Sequence, residues 1–246
     1  MSNMDEIDIY KSANKCAYSG IAWLKNQDIT EIKDLSRSIQ ALSSWNEKTL
    51  HLMGILLTRK KGVFWETDKP LLDTARACSA LSCCGIIADE PLDWILGQQK
   101  DGNWSNSEIE TSYALITLGD AGIKNEDGCG WLVSNYGKKW EYIGTTSLII
   151  TALLKQNKDK YLDFVKDRAS WILSKRESGG WTYTATSNLA IQALLQSDEM
   201  EIAPSIQWLL GRQEHGNWGD ITSTALSLIS FKMYLDSNYS SPHNNR

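Results

Sequence analysis

The chain has 246 residues, 42% of them hydrophobic and 22% charged, enough apolar matter for one sizeable core and too much for a disordered or collagen-like chain. Twenty-five basic against thirty acidic residues leave a formal charge of −5 with no basic run, which argues against nucleic acid or an anionic membrane surface as the main partner. The longest apolar runs, such as 148–154, fall far short of the roughly 20 residues a bilayer span needs.

Residues 1–20 lack the basic start, apolar block and small-residue cleavage site of a secretory signal. Five cysteines, an odd number with Cys83 and Cys84 adjacent, read as reduced thiols, so the expected location is cytoplasmic. Eleven tryptophans beside four prolines and three phenylalanines are out of line, and an excess of one large residue suggests repetition.

In chain order, a first unit, Ile21-Ala-Trp23-Leu-Lys-Asn-Gln27, keeps only the opening half of a pattern that becomes explicit later. A degenerate second unit ends at Lys61-Gly62-Val-Phe-Trp65, with Ile55 where a first tryptophan would stand. The third is complete: Trp94-Ile-Leu-Gly-Gln-Gln-Lys-Asp-Gly-Asn-Trp104. A looser fourth runs from Trp131 to Trp140 through Tyr136-Gly-Lys-Lys-Trp140. The fifth is Trp171-Ile-Leu-Ser-Lys-Arg-Glu-Ser-Gly-Gly-Trp181 and the sixth Trp208-Leu-Leu-Gly-Arg-Gln-Glu-His-Gly-Asn-Trp218. The second tryptophans, at 65, 104, 140, 181 and 218, stand 39, 36, 41 and 37 residues apart.

After each turn comes a start rich in Thr or Ser and then an apolar helical run, as in Asp73-Thr-Ala-Arg-Ala-Cys-Ser-Ala-Leu, Glu110-Thr-Ser-Tyr-Ala-Leu-Ile-Thr-Leu and Thr222-Ser-Thr-Ala-Leu-Ser-Leu. The hydroxyls and carboxylates there are expected to cap exposed backbone N–H groups. Such Ala-, Ser-, Thr- and Leu-rich runs suit a helix with neighbours on nearly all sides. The Trp-Ile/Leu-Leu helices, flanked by Lys, Glu and Asp, suit a surface with one apolar stripe. Each unit therefore reads as an αα-hairpin with a buried and an exposed member, and no stretch shows the period-2 alternation of strands.

Gln98-Gln-Lys-Asp-Gly102-Asn-Trp104 and Arg212-Gln213-Glu-His-Gly216-Asn-Trp218 resemble the Gln-Trp repeat of the terpenoid cyclase and protein prenyltransferase superfamily. The resemblance implies an all-α (α/α)6 toroid of six hairpins, with inner helices around a central cavity, as a single domain over 1–236 and a disordered tail over 237–246. It also implies that the motif Gln satisfies the N-terminus of a helix, the Gly makes a turn close to backbone, and the Trp packs the interface between units.

The same toroid hosts unrelated activities, so function rests on particular residues. Class II cyclases use the middle Asp of an Asp-x-Asp-Asp-Thr sequence as acid, whereas Pro70-Leu-Leu-Asp73-Thr74 has Leu72 in that place. If an acid or base exists, the expected residues are Asp73 and Glu110, which begin buried helices in adjacent units. Their bland reading is helix capping. Asp127-Gly-Cys129 resembles the zinc pair of prenyltransferases, but it opens an exposed helix and lacks a third ligand, so no metal and no cofactor are expected. Gly128-Cys129-Gly130 runs into Trp131-Leu132 and has no Gln for an internal thioester. Trp45, Tyr113, Tyr142 and Tyr183 are the aromatics expected to line an apolar pocket. Two functions stay open: an isoprenoid or other apolar chain in the central cavity, or a non-catalytic module holding a peptide, a partner protein or a second subunit.

Overall fold

A computed structural model describes residues 6–138, 141–198 and 201–239; Trp140, His243 and the rest of the tail from 240 onward lie outside them. The described residues are all-helical apart from turns and loops, with eleven helices. These are α1 Glu6–Lys25, α2 Ile32–Ser44, α3 Leu50–Thr58, α4 Pro70–Ser82, α5 Asp89–Gly97, α6 Glu108–Asp120, α7 Glu126–Asn135, α8 Ile143–Ser174, α9 Thr184–Gln196, α10 Ala203–Leu210 and α11 Ile221–Tyr239. The backbone of α8 is extended at Asn157 (φ −163°, ψ 94°), so α8 is two helical segments, 143–156 and 158–174. Helix α11 continues through Tyr239, past the boundary expected at 236.

The helices that follow the Trp turns form an inner set: α2, α4, α6, the first segment of α8, α9 and α11. On α4, residues Leu71, Leu72, Thr74, Ala75, Ala77, Cys78, Ser79, Ala80 and Leu81 are all buried, as a helix enclosed on nearly every side requires. Cys83 and Cys84 lie beyond the end of α4 rather than on it, because the helix stops at Ser82 and Gly85 follows with a φ of +78°. Helix α1 instead buries one stripe, Ile9, Ala13, Ala17, Ile21 and Leu24, at helical spacing.

Followed from neighbour to neighbour, the inner helices pack as α2 on α4, α4 on α6, α6 on α8, α8 on α9, α9 on α11, and α11 on α2. Each remaining helix packs on the inner helix before it: α3 on α2, α5 on α4, α7 on α6, α10 on α9, and α1 on α11.

The tryptophan repeat has one atomic solution used four times. The indole N–H groups of Trp65, Trp104, Trp181 and Trp218 donate to the carbonyls of Leu56, Ile95, Ile172 and Leu209, nine residues earlier, at 2.8, 2.7, 3.1 and 2.8 Å. Their backbone N–H groups donate to the hydroxyls of Thr74, Thr111, Ser187 and Thr224 at 3.1, 3.1, 3.0 and 3.1 Å. All four rings are buried. These hydroxyls therefore satisfy the incoming tryptophan strand instead of capping their own helices. Capping falls to Ser107, whose side chain accepts from Glu110 N–H, and to Asn125, which accepts from Gly128 N–H. In the fourth unit the equivalent hydroxyl, Thr146, is bonded to Tyr136 Oη at 3.1 Å.

The hinge between the two tryptophans is a tight turn. Asp101-Gly102, Ser178-Gly179 and His215-Gly216 all have positive φ at both residues, the signature of a type I′ turn. A Cβ on Gly102 would stand 3.0 Å from Asp127 O and 3.5 Å from Trp131 Cβ; on Gly179, 2.6 Å from Pro204 O and 3.0 Å from Trp208 Cβ. On Gly216 it would stand 3.2 Å from Ser19 O and 3.5 Å from Trp23 Cβ. The turn of the sixth unit thus meets α1 as the third meets α7 and the fifth meets α10.

The long polar side chain between the tryptophans makes the matching link. Gln99 exchanges hydrogen bonds with Asn125 at 3.0 and 2.8 Å, Arg176 donates to Glu201 O at 2.6 Å, and Gln213 donates to Cys16 O at 2.8 Å.

Candidate functional site

Beyond the faces packed on their neighbours, the inner helices turn one further stripe toward a common cavity. Counted from Thr74, Thr111 and the equivalent Thr146, the stripe falls two, five and nine residues on: Arg76, Ser79 and Cys83 in α4 and beyond it; Tyr113, Ile116 and Asp120 in α6; Leu148, Thr151 and Lys155 in α8. The spacing continues with Leu189, Gln192 and Gln196 in α9. Steps of three and four keep side chains on one face of a helix. Together with Arg37, Gln40 and Ser44 of α2 and Ile229 and Met233 of α11, these stripes enclose a cavity of about 450 Å³ to which all six inner helices contribute.

The cavity is unevenly lined. At the first level of the stripe, α2, α4 and α6 present Arg37, Arg76 and Tyr113, while α8 and α9 present Leu148 and Leu189. Arg37 donates to Tyr113 Oη at 2.8 Å and to Gln40 Oε1 at 3.1 Å. The Arg76 guanidinium lies 4.7 Å from the centre of the Tyr113 ring, and Arg37 lies 5.7 Å from it. Burial alone would push the Tyr113 phenol up, but the two guanidinium charges and their hydrogen bonds outweigh it and hold the phenol below its ordinary value. At the opposite level Asp120 and Lys155 form an ion pair beside Cys83.

Of the two expected acid residues, Asp73 is engaged on both oxygens: Thr67 Oγ1 donates to Oδ2 at 2.8 Å and Arg76 to Oδ1 at 2.9 Å. Glu110 holds the same register on α6, and its Oε2 is buried with no hydrogen-bond partner. Asp34, the matching residue of α2, was not singled out from sequence; it accepts from Thr222 Oγ1 of α11 at 2.5 Å, and so ties the last inner helix to the first.

Among the four expected aromatics, Tyr113 lines the cavity and the others stand elsewhere. Trp45 caps α2, donates its indole N–H to Leu228 O at 3.0 Å and meets the Tyr18 ring edge-on at 5.9 Å. Tyr142 and Tyr183 precede α8 and α9 as N-cap residues and are 61% and 71% exposed. Each sits one residue before its helix begins, which puts its side chain outside the bundle. The residues that sequence reasoning missed, Arg37 and Arg76, are signalled by the repeat itself: in the register of Thr74, Thr111, Thr146, Ser187 and Thr224, to which Leu35 corresponds in α2, position two carries Arg, Arg and Tyr in one half of the chain and Leu throughout the other.

Three thiols sit in environments that disfavour the thiolate. Burial pushes Cys78 up to about 12, and burial with a further push from Asp120 brings Cys83 to about 11. Cys129 is held at about 11, mainly by burial. Among the described residues no group of three His, Cys, Asp or Glu side chains converges to hold a metal ion, and no helix is long and apolar enough to cross a membrane. No protein-family model matches the chain, and no curated protein matches it.

Proposed function

We propose that the chain is an (α/α)6 toroid of the terpenoid cyclase and prenyltransferase kind, a single domain whose central cavity binds an isoprenoid or other apolar chain. The cavity carries this reading: all six inner helices contribute to it, and Leu148, Leu189, Ile229, Met233 and Ile116 supply apolar surface on four of them. Its 450 Å³ lies inside the range of small-molecule sites, about 300–1,000 Å³. The toroid is supported by the packing of α11 on α2 and by the seam at which the sixth turn meets α1 as internal turns meet their neighbours.

Binding rather than acid-initiated cyclisation is the role the site favours. An alkene is a very weak base, and its protonation demands a free, water-shielded acid. Asp73 is committed to Arg76 and Thr67, which leaves Glu110, with its buried oxygen, as the group for any proton transfer. We place the protein in the cytoplasm, in keeping with five free cysteines.

A second reading, a non-catalytic module that holds a partner protein, is favoured by α3. Its exposed face carries Leu50, 79% exposed, and Leu57, 44% exposed, and no charged residue lies within the helix.

Native mass spectrometry of the protein from its own cells, followed by solvent extraction, tests the first reading. The expected result is a bound apolar chain that is lost when Leu189→Trp fills the cavity. A protein partner in its place, or an empty chain with no affinity for farnesol or dodecanol, would overturn it.

A further inference from the structure

Resting on that reading of the cavity, we infer that its ligand is an apolar chain ending in a single carboxylate, with the carboxylate on Arg37 and Arg76 and the chain against Leu148, Leu189, Ile229 and Met233. The argument starts from charge. Among the described lining residues there are three cations, and two of them are neutralised in place: Arg76 by Asp73 at 2.9 Å and Lys155 by Asp120. Arg37 is the third. It bonds only neutral atoms, Tyr113 Oη and Gln40 Oε1, so the lining carries one positive charge without a counter-charge.

A half-buried guanidinium beside a low-polarity wall gains most from an anion of its own geometry. A planar carboxylate accepts two parallel N–H bonds from a guanidinium. Arg76 adds an Nε–H that is buried and without a partner. The Tyr113 hydroxyl sits between them, with Arg37 donating to it and its own proton left to donate. One uncompensated charge matches one carboxylate. A diphosphate would bring more negative charge than these groups balance, and the excess would have to leave water without a partner.

The rest of the cavity suits the tail. Opposite the guanidiniums, Leu148 and Leu189 occupy the same level on α8 and α9, and Ile229 and Met233 continue the apolar wall on α11. From Tyr113 to Asp120 the lining of α6 runs seven residues, about 10 Å along the helix.

Calorimetric titration with laurate, dodecanol and farnesyl diphosphate separates the possibilities. For the native chain, laurate is expected to bind roughly tenfold or more tighter than dodecanol, the worth of one charged hydrogen-bonded pair. Arg37→Gln should abolish that preference. If that variant fails to fold, Arg37→Lys keeps the charge without the planar fork, and the preference should shrink. Equal binding of laurate and dodecanol by the native chain, tighter binding of farnesyl diphosphate, or a preference untouched in the folded Arg37 variant would each overturn the carboxylate inference and leave the apolar cavity standing. No binding of any of the three would overturn both.

Discussion

Arg37 on α2 and Tyr113 on α6 are joined by a hydrogen bond of 2.8 Å, although α4 packs between their helices and 76 residues separate them in sequence. The bond crosses the cavity rather than a packed interface, so its energy depends on charge more than on shape. With Arg76 over the same ring, it makes Tyr113 a phenol whose ionised form is favoured in the folded chain.

That arrangement fixes a pH dependence. Tyr113 loses its proton in the folded chain below the value of roughly 10 that holds when unfolded. Folding therefore gains stability as pH rises between the two values, holds the gain above the unfolded value, and has none of it at neutral pH. The tyrosinate absorbance of the native chain minus that of Tyr113→Phe should show one phenol titrating early. Arg37→Gln should move it upward. A difference curve that coincides with exposed tyrosine would contradict the site's electrostatics.

The tryptophans make a separate prediction about stability. Trp104→Phe keeps a ring but removes one of the two donors to the Ile95 carbonyl, which retains Gln98 N–H, and leaves part of a fully buried site unfilled, a combined loss of about 1–3 kcal/mol. Trp171, half-buried at the start of its turn, makes no such bond, and Trp171→Phe should cost under about 1 kcal/mol. Urea unfolding of both variants checks the order: a loss at Trp104 no larger than that at Trp171 would contradict the buried, hydrogen-bonded role.

The helices were legible in sequence because the repeat states its period through tryptophan and glycine, and both have geometric reasons to recur. Trp104 needs a carbonyl nine residues back, and Gly102 needs the space its missing Cβ leaves beside Asp127. The cavity was less legible. Tyr142 and Tyr183 are aromatic and stand near helix starts, but a side chain one residue before a helix points away from the face that the helix presents. Arg37 and Arg76 read locally as ordinary surface cations. Their inward placement emerges only when the six helices are superposed in one register, with Leu35 of α2 set against the hydroxyls of the other five, a comparison across units rather than along one.

Thiol chemistry supplies another check. Cys83 at about 11 and Cys78 at about 12 hold their protons far above the roughly 8.5 of an unfolded thiol. The thiolate is the nucleophile, so alkylation by iodoacetamide near neutral pH should be on the order of a hundredfold slower in the native chain than in urea. Because the unfolded chain ionises first, these groups leave stability intact below pH 8.5 or so and erode it as pH climbs toward 11. Cys83→Ser should flatten that decline. Rapid labelling of Cys83 at neutral pH would show instead that the cavity floor is open and wet.

The seam between the last and first units can be tested with one substitution made at two glycines. A Cβ on Gly20 of α1 would lie 2.9 Å from Trp218 Cζ3 and 3.0 Å from Leu228 Cδ2, so Gly20→Ala overpacks the seam and should cost about 1–3 kcal/mol. Gly54 of α3 is exposed and has nothing within 4 Å of such a Cβ. There the helix gains from a less flexible unfolded chain, and Gly54→Ala should add about 0.5–1 kcal/mol. The shape of the unfolding curve matters as much as its midpoint. If α1 closes a ring, it shares burial with α10 and α11, and Gly20→Ala should lower the single global transition. If α1 merely decorated one end of an open stack, it would fray alone: amide exchange would quicken in α1, the main transition would stay in place, and the closed toroid would be untenable.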